Sequence, residues 1–353
     1  MDTCGTKRNF SQAQLCDDTS LPSQPDQSQR KIHAHASGNP LVEVLYEQRW
    51  SSESFFSIVP KDVVDEVRPF VHRPFSIGSN LRVLKSVNLS DLAGPQFCGN
   101  SLCVDRRTNE ILIASEKGIL VLSKDLEVVQ KIETYTDTEG TLQPFDCLSN
   151  TKINRRGRIV VNDYEKKQLL ILSRDSSWRL TLESTIQLPF IPLHSTVDQD
   201  GNYVVFGCQK EDQIIVLSED GQLIRKIKFS AGIWSLAVLS DSSIVAVNGG
   251  DNSISILSPD GKQVSRFGER GTGNGEFDFP SGVCVDSCDK IIVSDTYNDR
   301  LQVFSRDGTF IQEFGKNNHN LNGFAHPRYV EVDRDGNIIV VDVTDTLHLI
   351  STQ

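Results

Sequence analysis

Six short apolar runs, each closed by a serine, recur through the chain: GILVLS (118–123), QLLILS (168–173), QIIVLS (213–218), SISILS (253–258), RLQVFS (300–305) and TLHLIS (346–351). The closing serines at 123, 173, 218, 258, 305 and 351 fix a period of about 45 residues. A unit of that size is one supersecondary element that cannot bury an apolar face alone, so successive units must stack on one another.

Each unit resolves into four strands. A second apolar run lies upstream of each serine: ILIAS (111–115), IVVND (159–163), YVVFG (203–207), IVAVN (244–248), IIVSD (291–295) and IIVVD (338–342). A third precedes it: SLCVD, NTKIN, STVD, SLAVL, GVCVD and YVEVD. After five of the six serines a turn, often Asp-Gly, leads into EVVQKI, WRLTLE, QLIRKI, QVSRFG or FIQEFG. Four short antiparallel strands per repeat define a propeller blade, so the sequence predicts an all-β, six-bladed β-propeller over residues 79–353. The Ser, Asp and Gly at strand ends have turn chemistry, a side-chain acceptor for the backbone and a residue tolerant of positive φ, and are assigned no catalytic role.

The sixth unit stops at Ser351 with only Thr352 and Gln353 after it. Its outer strand is missing. The segment NLRVLKSVNL (80–89) has the length and alternation of that strand and is expected to close the ring from the N-terminal side, removing an exposed sheet edge.

The stretch 273–315 resembles an NHL repeat, with its Gly- and Phe-bearing lead-in, Pro280, the Asp295/Asn298/Arg300 signature and a terminal Phe-Gly. The last unit is similar but lacks the Asn and Arg, and units one to four keep the strands and lose most of the polar signature. The resemblance implies a binding propeller. NHL propellers commonly follow RING, B-box and coiled-coil segments, and this sequence shows neither RING spacing nor sustained heptads.

Ahead of the repeats, residues 1–40 are rich in Ser, Gln, Asp and Pro and are expected to be a disordered polar tail. Residues 41–78 are expected to be a short helical segment, with Pro60 in a first turn and Val63, Val64 and Val67 as one apolar stripe. Two readings stand for it: packing on the propeller, or docking to a partner, since SIVPKDVVDEV resembles the opening helix of an F-box. The N-terminus lacks a signal-peptide core and no stretch approaches the roughly 18 apolar residues that span a bilayer, so a cytoplasmic protein without membrane contact is expected.

No GxSxG, HExxH, Walker or Rossmann pattern falls in a fitting context. The eight cysteines form no CxxC pair and are expected to be reduced and mostly buried. His194 and Tyr329 fall at the same point of their units, where propellers face the central channel, and some propellers related to NHL repeats are lyases or calcium-dependent hydrolases with metal ligands there. The aligned Ser101, Asn150, Ser235 and Gly282 offer no carboxylate, so no catalytic residue, metal or cofactor is assigned.

The loops after second strands and before first strands offer contact residues instead: Trp234, Tyr297, Asn298, Arg300, Arg328, Tyr329 and His194. NHL propellers of developmental regulators bind single-stranded RNA through a basic face. Here the net charge is −11, and the acidic residues of these loops, among them Asp163, Asp295 and Asp342, outnumber the basic ones. The expected function is therefore a non-enzymatic platform for a protein partner, with ubiquitin-ligase-type assembly as its setting and a monomeric state. RNA binding is the alternative, and a metal-dependent lyase or hydrolase the second.

Overall fold

In a computed structural model of the chain, the residues described are 81–94, 97–208, 213–229, 232–315 and 323–351. The expected tail and helical segment, together with Lys210, Glu211, Asp212 and His319, lie outside them.

The chain enters through strand β1 (Arg82–Asn88) and a single-turn helix α1 (Leu89–Ala93), whose N-cap Asn88 accepts from the Ser90 amide. Blade one follows as β2 (Ser101–Asp105), β3 (Glu110–Ser115), β4 (Gly118–Leu122) and β5 (Val128–Ile132). A small hairpin, β6 (Thr134–Thr136) and β7 (Leu142–Pro144), leads to blade two: β8 (Leu148–Ile153), β9 (Ile159–Asp163), β10 (Gln168–Arg174) and β11 (Leu180–Gln187). Blade three is β12 (Ile191–Val197), β13 (Tyr203–Cys208), β14 (Gln213–Leu217) and β15 (Leu223–Lys228). Blade four is β16 (Ile233–Val238), β17 (Ile244–Asn248), β18 (Ser253–Leu257) and β19 (Gln263–Phe267). Blade five is β20 (Pro280–Val285), β21 (Ile291–Asp295), β22 (Arg300–Phe304) and β23 (Phe310–Phe314). Blade six holds β24 (Pro327–Val332), β25 (Ile338–Asp342) and β26 (Thr346–Ser351), and β1 pairs antiparallel with β26 as its outer strand. Inner strands of successive blades touch, and β24 touches β2, so the ring closes as expected.

Why the middle strands read as unbroken apolar runs is now visible: both of their faces lie against other blades. In β17, Ile244 and Ala246 pack toward blade three while Val245 and Val247 pack toward blade five. The core is six apolar packets, one per blade interface, and the packet between blades six and one is closed by Ile339, Val341 and Leu347 against Leu102 and Ile113.

The turns behave as their residues require. Ser218 and Ser258 Oγ accept from the amides of Gln222 and Lys262, and Gly221, Gly261 and Gly308 have φ of 80°, 88° and 90°. At the other hairpin of each blade, Asp198 Oδ1 accepts from Asp200 and Asn202 amides, and Asp333 Oδ1 from Asp335 and Asn337. These carboxylates are turn anchors.

Two bulges repeat around the ring. The inner strands of blades two to six slip register near their start, which places Asn150, His194, Ser235 and Tyr329 at equivalent positions. Every outer strand carries one extra, exposed residue between paired ones: Leu84, Val129, Glu183, Ile224, Val264 and Ile311. A bulge in an edge strand bends it away from a regular ladder and blunts edge-to-edge pairing.

Candidate binding site on the loop face of blades four to six

Loops joining second to third strands and those leading from one blade to the next emerge at the same end of the ring. In blades four to six a residue of the former is in the left-handed region: Asn252 (φ 56°), Asp299 (φ 52°) and Asp345 (φ 55°). Asn and Asp tolerate that conformation better than other side chains. Each reaches the entry of the next blade, Asn252 Oδ1 accepting from the Phe279 amide at 2.7 Å, Asp299 Oδ1 from His326 at 2.8 Å and Asp345 Oδ1 from Gly99 at 3.0 Å.

Phe279 and His326 are themselves left-handed, with φ of 55° and 54°, which costs on the order of 1 kcal/mol at each residue and is held by those hydrogen bonds. The result is a row of rings. Trp234 meets Phe279 edge-on at 5.0 Å, Phe279 stacks on Tyr297 at 5.1 Å and 21°, and Tyr297 meets His326 edge-on at 5.5 Å. Tyr297 rides on a 3-10 turn, Thr296–Asn298, and is 56% exposed. Of the neighbouring charges, Arg266 pairs with Asp251 at 2.6 Å and Arg270 with Asp278 at 3.8 Å, and His326 Nδ1 lies 2.9 Å from Asp299 Oδ1.

Of the residues singled out in the sequence, Trp234 and Tyr297 therefore come together, and Phe279 and His326 join them. The signal for these two was present but weak: each is a ring immediately before a blade-opening proline, Pro280 or Pro327. Arg328 is exposed on the same end, and Tyr329 packs partly buried against the packet between blades six and one.

Arg300 and Asn298 take another role. Arg300 is 0% exposed, so it is a support inside the blade and not a surface contact. Its Nε donates to Asp295 Oδ2 at 2.7 Å, its Nη2 to the carbonyls of Gly273 and Glu276, and its Nη1 to Thr272 O and Glu313 Oε2. Asn298 Nδ2 donates to Asp295 and to Gly271 O. Asp295 is the buried acceptor at the centre of this network, which pins the lead-in loop onto blade five.

His194 is buried on the inner strand of blade three and faces Ser235 of blade four. Burial, helped by the like charge of Lys152, lowers its pKa to about 3, so the ring is neutral at pH 7. Nε2 sits 3.4 Å from Ser235 Oγ, and Nδ1 has no partner among the described residues. Deeper, Lys152 of blade two is ion-paired with Glu331 of blade six. Blade one stands between those two blades in the ring, so the pair bridges the lumen beside Cys103. Burial pushes the Cys103 thiol up to about 12, and it is inert as a nucleophile at neutral pH. Among the described residues no three His, Cys, Asp or Glu side chains converge as a metal site.

A family model for the NHL repeat matches residues 277–304, the segment that carries Asp295, Asn298 and Arg300. The chain is a six-bladed β-propeller whose fifth blade matches the NHL repeat. No curated protein matches it by sequence. Among solved structures, virginiamycin B lyase from Staphylococcus aureus is similar at 12% identity and a TM-score of 0.53, covering 77% of this chain and 99% of the lyase. The WD40 propeller domain of Doa1 is similar at 13% and 0.54, covering 73% of this chain and 80% of that one. A gluconolactonase from Xanthomonas campestris is similar at 14% and 0.54, covering 75% and 88%. Such likenesses are of fold alone.

In this propeller one constellation has the connectivity of a nucleophilic triad: Ser86 Oγ lies 2.9 Å from His348 Nδ1, and His348 Nε2 lies 3.0 Å from Asp342 Oδ2. Asp342 is a loop anchor, accepting also from Ala325, Thr344 and Thr346 amides, and Phe324 lies edge-on over the imidazole at 5.2 Å. The three residues brace the closing strand β1 to blade six. The charge balance of the NHL loop face also differs from expectation: Asp163, Asp295 and Asp342 are buried anchors, and Arg300 is buried with them. Exposed Glu116, Glu165 and Asp251 are met by exposed Lys117, Lys166, Lys167 and Arg328, so the described part of the face is mixed in charge.

Proposed function

We propose that this NHL propeller is a protein-interaction platform that takes a segment of a partner protein on the loop face of blades four to six. The observation that carries the reading is the row Trp234–Phe279–Tyr297–His326, held in place by strained, hydrogen-bonded loop residues. Rigid aromatic side chains on a pre-formed surface are what interfaces use as anchors, because little rotamer entropy is lost when they are covered.

Protein is favoured over RNA because the described loop face is mixed in charge, which leaves stacked bases without a continuous cationic track for their phosphates. The NHL resemblance points to a ubiquitin-ligase-type assembly as the setting. The test is affinity capture from cell extract with the full chain and with Trp234→Ala and Tyr297→Ala, reading proteins by mass spectrometry and RNA by sequencing. A protein partner depleted at least tenfold by either substitution, with both variants still folded at the assay temperature, is the expected result. Enrichment of a defined RNA in its place, lost on Lys166→Ala/Lys167→Ala, would overturn the reading.

A further inference from the structure

At the end of the ring opposite the loop face, the β2–β3 turn of blade one meets the β8–β9 turn and the end of β10 in blade two. Between them lies a cleft of about 330 Å³ walled by Arg107, Arg156, Arg158 and Arg174, with Gly157 and Ser173 between them. No carboxylate lines it. Each of the four is ion-paired with a carboxylate outside the lining, Asp105, Glu110, Glu183 or Glu219, so the cleft gathers guanidinium donors without gathering net positive charge.

The acids stand behind the arginines. Asp105, 1% exposed, accepts from Arg107 Nε at 2.9 Å and Nη2 at 2.7 Å and from Arg174 Nη2 at 3.1 Å, so one buried carboxylate holds two guanidinium groups side by side. Arg174 also meets Glu110 at 3.1 Å and lies over the Trp178 ring at 3.8 Å. Arg107 keeps Nη1, and Arg174 keeps Nε and Nη1, without an acceptor among the described residues. The outer two, Arg158 with Glu183 at 2.7 Å and Arg156 with Glu219 at 2.8 Å, are solvent-exposed pairs, weak enough to yield to a stronger acceptor. Gly157 makes the arrangement possible: its φ is 76°, and a Cβ there would stand 1.6 Å from Arg107 Nη1.

We propose that this cleft binds a phosphomonoester dianion, its oxygens taken by the inward N–H edges of the four arginines. The planar guanidinium fork matches phosphate geometry with two donors at once, and two forks fixed side by side by Asp105 present that geometry before the ligand arrives. The phosphate can belong to a phosphorylated side chain of a partner or to a small phosphorylated metabolite. The site is independent of the aromatic row.

The full chain is titrated with inorganic phosphate and with O-phosphoserine against chloride at matched ionic strength, reading heat and the emission of Trp178, with Trp178→Phe as the control for the optical signal. Saturable binding of both phosphates and none of chloride is expected, weakened at least tenfold in Arg156→Gln/Arg158→Gln and in Gly157→Ala. Equal response to chloride, or equal affinity in the double variant with an unchanged melting temperature, overturns the proposal. A phosphoserine peptide and its unphosphorylated twin separate the sources: a phosphopeptide tighter than free phosphoserine assigns the site to a partner chain, and equal affinity assigns it to a small ligand.

Discussion

His194 illustrates what an inner-strand position does to a titratable side chain. Burial holds its pKa at about 3 in the folded protein, while the unfolded chain takes the ordinary value of 6.5. Between those values the unfolded state binds the proton and the folded state does not, so its contribution is fully present above about pH 6.5 and is lost as pH falls toward 3, at about 1.4 kcal/mol per pH unit. Replacing His194→Gln removes that slope: urea unfolding at pH 7 and pH 5 should show the wild type losing about 2 kcal/mol more than the variant between the two conditions. An equal loss in both proteins would mean that the ring is solvated in the lumen. The shared position of His194 and Tyr329 was legible from the repeat, because an aligned strand start needs no tertiary information. The aromatic partners of Tyr297 were not, because left-handed Phe279 and His326 are set by side chains of the preceding blade, Asn252 and Asp299, 27 residues away in each case.

At the scale of elements, strand number and order were legible because strands buried on both faces leave continuous apolar runs. The hairpin β6–β7 was not, since a polar connection that pairs with the outer edge of β11 carries no apolar pattern of its own. Arg300 was legible as a motif residue and illegible as a buried one. A strand-opening arginine reads as exposed until the lead-in loop is known to cross it, and Gly273 and Glu276 carbonyls are what cover its guanidinium. Removing one partner of a buried ion pair leaves the other uncompensated, so Arg300→Met, which strands Asp295, should cost about 3–5 kcal/mol in urea unfolding. The companion Tyr297→Ala, more than half exposed on the same loop, should cost only about 0.5–1.5 kcal/mol for the ring contacts it loses. Similar losses in the two would show that the network contributes no more than the surface does.

For the whole molecule, closure decides stability because it couples six otherwise local packets into a ring. The N-terminal segment enters two of them: Leu89 and Val87 pack between blades six and one, Leu81 and Val83 between blades five and six. Leu89 is fully buried, and Leu89→Ala alone should cost about 2–5 kcal/mol. A chain beginning at residue 93 should lose more than that relative to one beginning at residue 79. Equal midpoints for the two truncations would mean that the ring holds without β1. The closure was legible in the sequence because a last repeat one strand short and an orphan strand before the first repeat complete each other.

The pairing of β1 with β26 also orders events in time. During synthesis β1, the first strand of the described residues, is the last of them to find its partner: roughly 260 residues separate Asn88 from Ser351, which at about 5–20 residues per second is on the order of 15–50 s on the ribosome. Throughout that interval Val83 and Val87 face water on a strand with two open edges, beside blades already able to assemble. The same seam that completes the ring thus stays open until β26 emerges.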